Sequence, residues 1–303
     1  MKIPFLSSLP SLPALTAAAL VTAPVLTACE PLELTAQNIQ DSRGRVLFTT
    51  DRDGQSEIYS VNEQGTDLRR LTNDPLEDVK PCWASLHSRV AFVRGAELFT
   101  MMADGTDVKQ LTAGKGRVDE PACTFDGLGI TFSRLADDNY DIWRIDANGQ
   151  GEVRLTTDPA TDDAPAWSPD GQRIAFLSDR TGTSQIFLMQ ADGSNVTQIT
   201  FEGEHGAPAW SIDNRIVMWR EDHPSVPASF VVVDPDGKNE VTIGIGAFGD
   251  NPTWAPDGKS FLYEQRDEGG TMDVYRYDLT TATKSRFILG AKAWNASPSW
   301  QVK

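Results

Sequence analysis

The tripeptide Pro-x-Trp returns at a nearly constant interval, and that periodicity restricts the fold more than any other feature of the 303 residues. It stands at Pro81-Cys82-Trp83, Pro165-Ala166-Trp167, Pro208-Ala209-Trp210, Pro252-Thr253-Trp254 and Pro298-Ser299-Trp300. Pro121-Ala122-Cys123 is a sixth copy, with Cys in the place of Trp. Successive prolines lie 40, 44, 43, 44 and 46 residues apart. A period of this length is the span of one four-stranded propeller blade.

Each unit carries the same punctuation. A tight turn follows the tripeptide, clearest at Pro169-Asp170-Gly171 and Pro256-Asp257-Gly258, and leads into β-branched and aromatic runs such as Ile174-Ala175-Phe176 and Phe261-Leu262-Tyr263. A third run follows (Ile186-Phe187, Val274-Tyr275), then an Asx-Gly pair (Asp104-Gly105, Asn148-Gly149, Asp192-Gly193, Asp236-Gly237). Such pairs predict two-residue type I′ hairpins. A last run ends in Leu-Thr or Ile-Thr, at Leu71-Thr72, Leu111-Thr112, Leu155-Thr156 and Ile199-Thr200. No segment has a helical period of useful length. The expectation is an all-β, six-bladed β-propeller of four-stranded blades over residues 44–303.

With Pro-x-Trp as strand a of each blade, the first unit, Arg45 to Thr72, holds only strands b, c and d, while Pro298 to Val302 is an orphan strand a. The C-terminal strand is therefore expected to pair with the N-terminal blade and close the ring, which removes two sheet edges. The tryptophans read as packing between blades, ligand stacking being the alternative.

Residues 1–28 differ from the rest. Lys2 is their one charged side chain, and the apolar stretch from Ala14 to Leu26 is too short and too broken by proline to span a bilayer. They read as a secretory signal, and Leu26-Thr27-Ala28-Cys29 resembles the lipobox of bacterial lipoproteins. Lipidation at Cys29 is expected, with residues 29–43 as a lipid-anchored tether; an ordinary cleavage site beside an incidental cysteine is the alternative. The address is then the bacterial envelope, on the outer membrane, facing the periplasm or the cell surface. A formal charge of −16 disfavours nucleic acid and adsorption to anionic lipid headgroups.

The run Pro-Ala-Trp-Ser-Pro-Asp-Gly-Gln-Arg-Ile-Ala-Phe-Leu-Ser-Asp-Arg, from Pro165 to Arg180, strongly resembles the TolB-type propeller repeat. The resemblance implies the fold, and it spans adaptors, peptidase domains and pectin-degrading enzymes alike. The family's namesake links envelope proteins and carries an additional α/β domain. Only about a dozen residues separate Cys29 from the first strand here, so a TolB-like lipoprotein lacking that domain is expected, not TolB itself.

Acids precede five of the six prolines in what read as d–a loops: Glu77, Asp78, Asp119, Glu120, Asp162, Asp163, Glu204 and Asp250, with His205 among them. Together they are expected to form an acidic collar at the channel mouth, for a basic partner segment or a cation. Each b–c loop supplies an arginine: Arg52, Arg94, Arg134, Arg180, Arg220 and Arg266. These either pair with the collar, pair with acids opening strand c (Glu57, Glu97, Asp141, Asp273), or bind an anion. Asp51-Arg52-Asp53-Gly54 reads as a hairpin turn and not a calcium loop.

His87, His205 and His223 are too scattered for the metal site of the propeller lyases, and no Gly-x-Ser-x-Gly elbow occurs. No catalytic residue, metal or cofactor is assigned. Strand alternation sends Cys82 and Cys123 to opposite blade faces, so in neighbouring blades they either meet or point away. A disulfide and two buried thiols both stay open. Two functions follow: a monomeric, non-enzymatic envelope lipoprotein that binds a partner protein, or an envelope enzyme or receptor for a glycan or other anionic polymer.

Overall fold

The structure, a computed structural model, describes residues 44–84, 88–223, 225–245, 249–267, 269–288 and 293–300. The signal segment, the tether, Cys29 and His87 lie outside them. The described residues form six antiparallel sheets and no helix.

The second blade shows the plan. Strands β4 (Asp78–Ala84), β5 (Arg89–Arg94), β6 (Glu97–Met102) and β7 (Lys109–Gln110) pair in sequence order from the channel outward. The first blade is assembled from both ends of the propeller. β25 (Asn295–Trp300) pairs with β1 (Val46–Thr50), which is followed by β2 (Glu57–Val61) and β3 (Arg69–Arg70). In the third, fourth and sixth blades strand a is β8 (Arg117–Cys123), β12 (Asp162–Trp167) and β21 (Gly249–Trp254). In the fifth it is cut into β16 (Glu204–His205) and β17 (Ala209–Trp210).

The motif residues have separate duties. The terminal Thr of strand d turns back to strand c: Thr72 Oγ1 accepts the Ile58 N–H at 2.9 Å and donates to Glu57 Oε2 at 2.6 Å. Thr112, Thr156 and Thr200 repeat this with Leu98, Ile142 and Ile186. The aliphatic residue before each Thr supplies the floor for a turn of the next blade. A Cβ on Gly105 would come within 2.3 Å of the Leu71 carbonyl oxygen, and one on Gly193 within 2.6 Å of that of Leu155.

Those turns correct the type I′ expectation. Of each Asx-Gly pair only the glycine is left-handed, at φ 86° for Gly105 and for Gly193. Met102 N–H bonds to Thr106 O, closing a three-residue loop with a glycine bulge. The preceding aspartate keeps negative φ because its side chain is committed forward: Asp104 Oδ1 accepts the Thr106 N–H at 3.0 Å.

The tryptophans seal the seams between blades. Trp83, Trp167, Trp210, Trp254 and Trp300 are each buried among apolar residues of their own and the preceding blade. Trp254 donates its indole N–H to Ala209 O at 3.1 Å across the seam. Arginines of the preceding blade cover the rings: Arg173 lies 5.0 Å over Trp210, Arg215 5.0 Å over Trp254, and Arg276 5.5 Å over Trp300. At the remaining seam, where Trp is replaced, Cys123 is disulfide-bonded to Cys82 with Cα atoms 5.8 Å apart.

Candidate functional site

The innermost strands share one irregularity that builds the channel. Pairing of strand a with strand b slips between Val79 and Cys82, Asp119 and Ala122, Asp163 and Ala166, and Asp250 and Thr253. The extra residue is a β-bulge, and the motif proline sits in it, where its missing N–H costs no ladder bond. The residue before the proline is left-handed in five blades, at φ 54° for Lys80, 42° for Glu120, 49° for Ala164, 46° for Asn251 and 49° for Ser297. These five residues and Ala207 line a channel cavity of about 210 Å³ together with the prolines.

In five blades the bulge N–H is tied down by a side chain. Asp119, Asp163 and Asp250 accept it from the next residue, at 3.1, 2.7 and 2.8 Å. The first and second blades have no Asp there and borrow an acceptor from the preceding blade. Glu264 Oε1 accepts the Ser297 N–H at 2.6 Å, and Thr49 Oγ1 accepts that of Lys80 at 3.1 Å. In the fifth blade a Cβ on Gly206 would lie 1.6 Å from Trp219 Nε1, so the missing side chain is what admits the indole.

The result is an asymmetric charged mouth. Lys80 Nζ bonds Asp119 Oδ1 at 2.6 Å and Glu120 Oε1 at 2.5 Å, across the seam between the second and third blades. Burial opposes the Lys80 ammonium, but Glu120 and Asp119 outweigh it and hold its pKa above the ordinary lysine range. Burial pushes the Glu120 carboxyl up to about 7, against the pull of Lys80 and helped by Asp163. The Glu120 side chain stays 27% exposed, as befits a group deep in a narrow channel instead of in apolar packing. Burial likewise raises Asp250, against its bonds to the Asn251 N–H and the Trp219 side chain, and raises Glu264 against the Ser297 N–H. Tyr140 is raised by burial, with Asp119 adding.

The structure therefore divides the acidic collar. Asp119, Glu120, Asp163 and Asp250 come together, joined by Lys80, Glu264, Trp219 and Tyr140, which sequence reasoning missed. Lys80 was discoverable: it occupies the column before the proline, where the six copies read Lys, Glu, Ala, Ala, Asn and Ser. Asp78 and Asp162 belong elsewhere. They open strands instead of lying in loops, are wholly buried, and bond Arg94 and Arg180. His205 is 3% exposed, and burial, with Arg220 adding, pushes its pKa down to about 4. Glu204 is exposed opposite Glu221, and Glu77 is exposed in its loop.

The arginines face partners within the fold. Arg94 and Arg180 stack on Phe92 and Phe99, and on Phe176 and Phe187, while pairing with their buried aspartates. Arg134 stacks on Phe132 and Trp143 and pairs with Glu152. Arg220 pairs with Asp222 at 2.8 Å and Glu240 at 2.7 Å, and Arg52 donates to Asn295 Oδ1 at 3.1 Å. Arg266 is exposed and donates to Gly270 O at 3.2 Å. The acids opening strand c take strand-d partners instead: Glu57 with Arg70, Asp141 with Arg154, Asp273 with Arg286. Among the described residues no three His, Cys, Asp or Glu side chains converge to hold a metal ion.

Fold and site define a six-bladed propeller whose repeated scaffold frames an unrepeated channel mouth. The chain belongs to the TolB beta propeller domain family, whose model matches residues 114–303. It is 34% identical over 152 residues to an uncharacterized protein of Agrobacterium fabrum, a match covering 46% of this chain and 51% of that protein. It is 28% identical over 144 residues to a TolB homolog of Chlorobium chlorochromatii, covering 45% of this chain and 31% of that one. Its match thus spans about half, or a third, of the length of these curated relatives. The crystal structure of TolB from Acinetobacter baumannii superposes with a TM-score of 0.75 at 18% identity, over 87% of this chain and 68% of that one. That likeness is one of fold.

Proposed function

We propose that the protein is a non-enzymatic lipoprotein of the bacterial envelope that binds a partner protein through the channel mouth. The observation that carries this reading is the contrast between scaffold and mouth. Residues that hold the blades recur in register, while the column before the proline holds five residue types in six blades and lines the channel. A surface that breaks its own repeat is suited to recognising one partner. Export and attachment through lipid on Cys29 complete the proposal and agree with an adaptor role, one of the several roles that the resemblance spans. Five of the six b–c arginines are engaged within their blades or with neighbouring side chains, which disfavours an anionic-polymer site built on them.

The test is in vivo cross-linking to the tagged full chain, beside an Asp163→Asn/Asp250→Asn variant whose fold is checked by circular dichroism. An envelope protein captured by the parent and lost by the folded variant supports the reading. Equal capture by both moves the surface away from the mouth, and capture by neither removes the adaptor function. Radiolabelled palmitate incorporation, abolished by Cys29→Ser, tests the anchor.

A further inference from the structure

Five of the six seams are filled by an indole, which has no chemical state to change. The seam between the second and third blades is different. Its strands β4 and β8 belong to separate sheets and share no ladder; one backbone bond crosses the seam, from Val118 N–H to Ala96 O at 2.9 Å, and side chains supply the rest. Apolar packing of Val93 and Val118 is one tie. The Cys82–Cys123 bond is the second, and the third is the ion pair of Lys80 with Asp119 and Glu120. The last two sit on the same pair of strands. Lys80 precedes Cys82 by two residues, and Glu120 precedes Cys123 by three. Both cysteines are among the residues lining the channel, Cys82 at 8% exposure and Cys123 half-buried, so a reductant would approach the bond from that side.

We propose that the Cys82–Cys123 disulfide is a redox-sensitive clasp on the channel mouth, whose reduction loosens the second blade from the third and unseats Lys80 from Asp119 and Glu120. A dithiol supplies the two electrons. One thiolate attacks the sulfur of Cys123, the more exposed of the two residues, forming a mixed disulfide and releasing Cys82 as a thiolate that takes a proton. The second thiolate closes the reductant into its own disulfide, and Cys123 leaves as a thiol. The consequence for partner binding rests on the adaptor reading; the clasp itself does not.

The experiment treats the native full chain with dithiothreitol and follows the bond by alkylation and mass, amide hydrogen exchange by segment, and acylation of Lys80. Reduction is expected to lower protection in residues 78–84 and 117–123 at least tenfold, to leave the fifth and sixth blades unchanged, and to raise Lys80 acylation at least threefold. A bond that resists reduction in the native protein overturns the proposal. So does reduction that leaves both strands protected, or that loosens all six blades alike. Cys82→Ala/Cys123→Trp restores the pattern of the other seams, and its exchange is expected to match the oxidised parent with or without reductant. If that variant does not fold, Cys82→Ser/Cys123→Ser is expected to exchange like the reduced parent, and full protection in it overturns the proposal. No readout involves a partner, so failure of the clasp and failure of the adaptor reading are distinct results.

Discussion

Arg94 holds Asp78 through both carboxylate oxygens, Nε to Oδ1 and Nη2 to Oδ2, each at 2.7 Å, and the carboxylate is wholly buried. Removing one partner of such a pair strands a charge away from water. Arg94→Ala is therefore expected to cost about 3–5 kcal/mol of stability, read from urea unfolding. Arg180→Ala, which strands Asp162, is expected to behave alike. A loss below about 1 kcal/mol would return these arginines to the candidate binding surface.

The seams carry comparable weight. Trp254→Ala leaves an indole-sized void between the fifth and sixth blades and forfeits the bond to Ala209, at a cost of about 3–5 kcal/mol in thermal or urea unfolding. Loss of the disulfide, which joins residues separated by 41 positions, is expected to cost about 2–5 kcal/mol in the Cys82→Ser/Cys123→Ser protein. If the disulfide change proves neutral, packing, the Lys80 ion pair and the Val118–Ala96 backbone bond hold the seam between the second and third blades without it.

Trp219 and Gly206 are a steric couple. Gly206→Ala places a carbon where the indole stands, so the ring must move, at about 1–3 kcal/mol. In a Trp219→Ala background the same change is expected to be nearly free. A double-mutant cycle checks this, and additive costs would contradict it.

Two groups set opposite pH trends. Glu120, with a folded pKa of about 7 against an ordinary 4.5, contributes stability that is fully present below about 4.5 and lost as pH rises through 7. Glu120→Gln should flatten that decline. His205, near 4 in place of 6.5, contributes stability present above about 6.5 and lost as pH falls through 4. His205→Asn should flatten the acid limb. Urea midpoints across pH 3.5–8.5 separate the two, and unchanged profiles would show that neither group titrates in its expected range.

Much of this molecule was legible in one dimension because a propeller repeats. Turn positions, strand alternation and the orphan C-terminal strand each depend on local spacing, so blade count and ring closure follow from the period, although the turn type did not. The site was less legible for a specific reason. Asp78 and Asp119 both precede a motif proline, by three residues and by two, and look interchangeable in sequence. The bulge separates them: Asp78 turns into its blade toward Arg94, while Asp119 caps the Glu120 N–H and meets Lys80 at the channel.

The sequence alone determined the architecture, since a period of 40–46 residues with Pro-x-Trp in five units and Pro-x-Cys in the sixth admits a ring of blades and little else. Only the tertiary structure decided which acids are available, that Lys80 bridges two of them, and that Cys123 meets Cys82 in the seam where the repeat lacks its tryptophan. The physical reason is that the last two are contacts between blades, made by side chains about one repeat apart, while the first turns on pairs within a blade, Asp78 with Arg94 and Asp162 with Arg180. Their direction is set by a backbone bulge that no local sequence rule specifies.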